Sequence, residues 1–191
     1  MSAQLLLDRL EFSTIKVEVT TELDSVQWDK SFPQIDFDFD GVTFLTRSAL
    51  NYPPAEAKDP RHFALSYGLK VDSDKNSKSL LPYHVEIEAT GFFRFLGGDE
   101  YVGVERFRAV RFSGYQILHG AIREMICNLT ARGRHGLWQL PARDFRDVAR
   151  ERSEEDEQHR LLLLQKSPKK LAHANDAARP ARKRTVKRGK P

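Results

Sequence analysis

"GYQILHGAIREMICNLTARGRHGLWQLPARDF", residues 114–145, is the stretch whose reading decides the fold. Ile117, Leu118, Ala121, Ile122, Met125, Ile126 and Leu129 recur at helical spacing and predict one amphipathic helix. Gly133 can close that helix with a positive φ. Leu137, Trp138, Leu140 and Pro141 then follow in a segment too short for a core helix. A second helix starts beyond Phe145. An apolar connector between two helices is the feature that asks for an explanation.

Upstream, the period changes from 3.6 to two. In "RHFALSYGLKVDSD" Phe63, Leu65, Tyr67, Leu69 and Val71 share one face. In "LPYHVEIEATGFFRF" one face carries Tyr83, Val85, Ile87, Ala89, Phe93 and Phe95, and the other carries His84, Glu86, Glu88 and Arg94. These are half-buried antiparallel strands, joined as a hairpin by the polar "DSDKNSKS". "QIDFDFDGV" repeats the alternation in a short form, with Ile35, Phe37 and Phe39 opposite Asp36, Asp38 and Asp40. The first strand, residues 5–20, changes parity near Ser13: Leu6, Leu10 and Phe12 precede it, and Ile15, Val17 and Val19 follow. A β-bulge there reconciles the two halves. Paired prolines make residues 51–60 a loop, and about fifteen residues before the long helix carry no clear pattern. The expected fold class is α+β: a four-stranded antiparallel sheet followed by two helices packed on one side.

The chain has 191 residues and a net charge of +4. Residues 166–191 hold six Lys, four Arg and one acid, +9 in all, so +4 less +9 leaves −5 for residues 1–165. The expected organisation is a domain over 1–148, a charged helical extension over 149–165 with a solvated middle, and a basic disordered tail over 166–191. Leu161 to Leu164 pack on the body or on a partner. A single cysteine, Cys127, allows no internal disulfide. The start "MSAQLLLDRLEF" lacks the form of a signal peptide, and no apolar run reaches membrane-spanning length, so a cytoplasmic protein without membrane insertion is expected.

No catalytic constellation emerges. The six histidines show no metal-ligand spacing, and Cys127 beside the helix stripe reads as a buried thiol. "GGDEYVG" lacks the Lys-Ser/Thr of a phosphate loop. The expectation is a non-enzyme with no cofactor and no metal. The aromatics Trp28, Phe32, Tyr52 and Trp138 stand near loops, where a cluster beside an apolar connector forms a groove for extended peptide.

The opening stretch resembles the bacterial SecB export-chaperone family. "ILHGAIREMICNLTARG", with Ala121, Arg123, Glu124, Ile126, Arg132 and Gly133, is similar to the family helix ending in Arg-Gly. "LWQLPARDF", with Leu137, Leu140, Pro141 and Phe145, is similar to its apolar connector and turn into the last helix. "VEIEATGFFRF" and "LLDRLEFSTIKVEV" look like two of its strands, the latter through Arg9 and Glu18. The family's helix-entry Pro-Tyr is replaced by His119-Gly120, and the basic tail is foreign to it.

The resemblance implies an ATP-independent holdase for unfolded or newly made polypeptides in protein export, assembled as a dimer of dimers. It implies a client groove holding Phe32, Ile35, Phe37, Phe39 and Phe145, flanked by Leu137, Trp138 and Leu140. It implies a motor-docking face for SecA built from Asp36, Asp38, Glu86 and Glu88. Two alternatives stand beside it. One is a SecB-like chaperone of a toxin–antitoxin pair, with the antitoxin as partner. The other is a protein associated with nucleic acid or ribosomes through Arg182, Lys183, Arg184, Lys187 and Arg188.

Overall fold

Among the described residues the order is four strands and then two helices, an α+β architecture. The structure, a computed structural model, describes residues 5–21, 39, 41–73 and 81–176, with side chains described as far as residue 165. Strand β1 is Leu5–Val19, β2 is Val42–Asn51, β3 is His62–Ser73 and β4 is Tyr83–Phe95. They form one antiparallel sheet in the order β1-β4-β3-β2. A single 3-10 turn, Pro54–Glu56, follows β2. Helix α1 is Val104–Thr130 and α2 is Arg146–Asp176.

The strict alternation of β3 and β4 is what builds the core. Phe63, Leu65, Tyr67, Leu69 and Val71 on β3, with Tyr83, Val85, Ile87, Ala89, Phe93 and Phe95 on β4, are all buried on the face that α1 covers. Each large apolar side chain removed from water contributes about 1.5–3 kcal/mol. From α1 come Phe107, Val110, Tyr115, Leu118, Ile122 and Ile126. Gly114 lets the helix approach: a Cβ there would stand 2.6 Å from Leu65 Cδ2.

Strand β1 carries two register shifts against β4, between Leu7 and Arg9 and between Phe12 and Thr14. The second is the bulge expected near Ser13. The first, at Asp8, puts Leu5 and Leu7 on the inner face opposite Phe95 and Phe93, and leaves Leu6 exposed on the other. Each extra residue swaps the faces of the strand beyond it. Asp8 is held by Arg94, which donates to both of its carboxylate oxygens at 2.7–3.1 Å.

Several expectations need correction. The second strand of the sheet lies at Val42–Asn51, beyond the alternation of "QIDFDFDGV". Residues 31–38 and Asp40 lie outside the described residues. β2 escapes a period-two reading because its inward positions include Thr46 and Ser48, opposite the buried Leu69 and Tyr67, while Leu45 points outward and is exposed. Helix α1 takes in most of the patternless residues before the stripe, because its first turns bury Arg106 and Arg111 beside Phe107 and Val110. Gly133 does not have a positive φ; Gly136 does, at 76°. Gly133 is needed for space, since a Cβ there would stand 2.5 Å from the Tyr83 hydroxyl. Helix α2 continues to Asp176 instead of stopping by residue 165. Residues 177–191 of the tail lie outside the described residues.

The charged middle of α2 is not solvated throughout. Asp156 receives two hydrogen bonds from the buried Arg111, at 2.7 and 2.8 Å. Arg160 reaches the carbonyls of Ala57 and Lys58 and pairs with Glu157. Arg111 also donates to the Tyr115 hydroxyl at 2.6 Å and to Ser48 Oγ at 3.2 Å, so the polar inward side of β2 has a partner. The middle of the helix docks through the Arg111–Asp156 ion pair and the Arg160 hydrogen bonds, where a hydrophobic reading finds nothing to dock. Leu161 and Leu162, just beyond, are exposed.

Candidate functional site

The connector, residues 131–145, lies along one edge of α1 and runs antiparallel to it. Side chains of α1 take its main-chain groups in order. Thr130 Oγ1 accepts from the Trp138 amide at 2.9 Å and donates to the Ile126 carbonyl at 2.7 Å. Cys127 Sγ lies 3.7 Å from the Trp138 carbonyl, so this thiol is half-buried beneath the connector. Arg123 Nε donates to the Leu140 carbonyl at 2.8 Å. His119 Nε2 donates to the Pro141 carbonyl at 3.2 Å. The spacing of His119, Arg123 and Cys127 is four residues, one helical turn plus a little, which brings their side chains to one edge.

The start of the connector is tied to the sheet. The Tyr83 hydroxyl donates to the Gly136 carbonyl at 2.8 Å and accepts from the His135 amide at 3.2 Å. His135 Nε2 donates to the Thr20 carbonyl at 2.8 Å. Burial of His119 pushes its imidazole below the ordinary histidine range, and the nearby Arg123 and Arg143 push it the same way. Its Nδ1 is buried with no hydrogen-bond partner among the described residues.

The expected client-contacting residues fall into three groups. Trp138, Leu140 and Phe145 are buried core residues, at 3%, 1% and 2% exposure, and offer no surface as the chain stands. Phe145 packs against Tyr67, Tyr115 and His119 at ring distances of 5.4–5.9 Å. Leu137 and Phe39 are half-buried. Phe39 stacks on Trp138, with centroids 5.8 Å apart and planes 20° apart, so two expected residues meet although 99 positions separate them. Phe32, Ile35 and Phe37 lie outside the described residues.

Sequence reasoning missed a different apolar surface. Ile15 and Val19 stand opposite the buried Ile87 and Tyr83, so they belong to the inner face of the sheet. They are nevertheless 48% and 45% exposed on β1, an edge strand of the sheet, while Val17 between them is half-buried against the core. Leu129, near the C-terminus of α1, is 46% exposed. Only the register places Ile15 and Val19 on the inner face, so no local pattern marks them.

The outer face of the sheet is charge-balanced. Glu86 and Glu88, two of the four expected docking acids, are paired with Arg47 of β2, at 4.0 and 2.9 Å. Arg47 lies across Gly68, where a Cβ would come within 2.8 Å of its Cγ. Register sets Lys16 and Lys70 on either side of Glu86. Asp36 and Asp38 lie outside the described residues.

Among the described residues no group of three His, Cys, Asp or Glu is placed to hold a metal ion. No described helix is long and apolar enough to cross a membrane.

No protein-family model matches the chain, and no curated protein matches it. Solved structures do. One is the Mycobacterium tuberculosis Rv1957 SecB-like chaperone in complex with a ChAD peptide from the Rv1956 HigA1 antitoxin. The match has 17% identity and a TM-score of 0.45, and covers 73% of this chain and 90% of that one. Another is a protein of unknown function from Streptococcus agalactiae, at 8% identity and a TM-score of 0.39, covering 74% of this chain and 100% of that one.

Proposed function

We propose that this protein is an ATP-independent chaperone of SecB type that holds unfolded polypeptides. The observation that carries the reading is exposed apolar surface on the inner face of an edge strand, at Ile15 and Val19 of β1. Exposed apolar area of this kind marks an interaction surface. Weak, non-directional contacts of about 1.5–3 kcal/mol per large side chain suit clients of varied sequence. Repetition of the surface in a homo-oligomer, a dimer of dimers, adds avidity.

A second reading concerns the partner. Pairing of Glu86 and Glu88 with Arg47 favours a chaperone dedicated to a client such as an antitoxin over one that docks the export motor SecA. A face whose acids are already paired attracts a basic partner weakly. The lysine and arginine positions 182, 183, 184, 187 and 188 suit non-specific nucleic-acid contact as an accessory role, lost at high salt.

The test is equilibrium binding of a fluorescently labelled, permanently unfolded protein, without nucleotide. The wild type binds, and the Ile15→Glu/Val19→Glu variant binds at least tenfold more weakly with an unchanged circular dichroism spectrum. Equal binding by the two removes this surface from the site.

A further inference from the structure

Residues 137–145 adopt no regular secondary structure. Two sets of contacts hold them: the main-chain hydrogen bonds from His119, Arg123, Cys127 and Thr130, and the buried side chains of Trp138, Leu140 and Phe145. Neither set depends on the covalent continuity of the connector. The α1 side chains read carbonyls and one amide, groups that every polypeptide carries. The two apolar pockets are filled from positions two residues apart, the repeat of an extended chain. A segment with few backbone–backbone bonds also opens at lower cost than a helix or strand.

We propose that the connector is a displaceable stand-in for client: the edge of α1 bearing His119, Arg123 and Thr130, with the pockets now filled by Trp138 and Leu140, takes an extended polypeptide carrying large apolar residues at positions i and i+2. The proposal rests on the holdase reading and narrows it. The connector is then a competitor that leaves the site, where a lid would close over the client and become more protected. Client affinity is lowered by the fraction of chains in which the connector is seated.

The chain contains two tryptophans, Trp28 and Trp138, so the Trp28→Phe protein reports Trp138 alone. The probe is a synthetic peptide copying residues 136–142 with the change W138F, labelled at its N-terminus. The control peptide has serine at both apolar positions. Binding is read by anisotropy of the label and connector position by acrylamide quenching of Trp138. The same quenching is read on wild type, in case the variant does not fold. The expected result is saturable binding of the probe only, with the quenching constant rising about threefold or more at saturation. An unfolded protein client gives the same rise.

Binding of probe or client with Trp138 as protected as in the free protein overturns the proposal and leaves the holdase reading in place. Client holding without any binding of the probe also overturns it. Probe binding with Trp138 exposed but no client holding supports the site and removes the holdase reading. No binding of either removes both.

Discussion

Thr130 shows how much one side chain decides. It is fully buried in the last turn of α1, accepts from the Trp138 amide and donates to the Ile126 carbonyl. Thr130→Val keeps the shape and removes the acceptor, leaving a buried amide unsatisfied, which costs about 1–3 kcal/mol. The expected outcome is that much loss in urea unfolding with little change in m-value, together with faster hydrogen exchange at the Trp138 amide. His119 is the second such residue. Its pKa is lowered in the folded chain, so the unfolded chain binds the proton more readily and stability falls on acidification. The contribution is fully present above the unfolded value of about 6.5 and is lost as pH falls toward the folded value. His119→Gln should therefore lose less stability than wild type between pH 7.5 and 5.5, read by thermal unfolding at both values. A wild type and variant with parallel pH dependence would contradict the assignment. Neither residue's role is legible in sequence, because His and Thr on a helix stripe say nothing of which carbonyl or amide they meet.

At the scale of elements, what could be read follows from period and what could not follows from polar packing. Strands β3 and β4 are visible because their inward positions are apolar in strict alternation, and α1 because Leu118, Ile122 and Ile126 recur at helical spacing. Strand β2 is not, because Ser48 faces inward to meet Arg111 and Tyr115. The bulge at Ser13 is visible as a parity change across Phe12 and Ile15. The one at Asp8 is hidden, because Leu5, Leu6 and Leu7 are apolar in either parity. The middle of α2 reads as solvated because charge is its whole signal, yet Asp156 and Arg111 form its anchor. Removal of one member of a buried pair costs about 3–5 kcal/mol, since the other charge stays behind. Asp156→Ala is expected to lose about that much in chemical unfolding. The double change Arg111→Met/Asp156→Leu should lose less than either single change. If Asp156→Ala is as stable as wild type, α2 is not docked by this pair.

For the whole molecule, layer order was readable and surface chemistry was not. The sheet-then-helices arrangement follows from the periods of four segments, whereas the burial of Trp138, Leu140 and Phe145, expected to contact client, does not. That these three are covered while Ile15 and Val19 are exposed is set by tertiary packing, which no local pattern encodes. The outer face reads as acidic from β4 alone; Arg47 balances it from a strand the sequence did not declare. The molecule thus combines a paired, quiet outer face with an open apolar inner edge and a connector held by hydrogen bonds that any backbone can make. The function we propose for it is client holding without nucleotide. The most direct measurement dilutes a chemically unfolded, slow-folding protein into buffer containing this one and follows light scattering, with and without residues 166–191. The account predicts suppression near one chain or oligomer per client, kept in 0.5 M salt, where the Debye length falls to roughly 4 Å, and kept without the tail. Scattering that is unchanged, or suppressed only when the tail is present and salt is low, would contradict it.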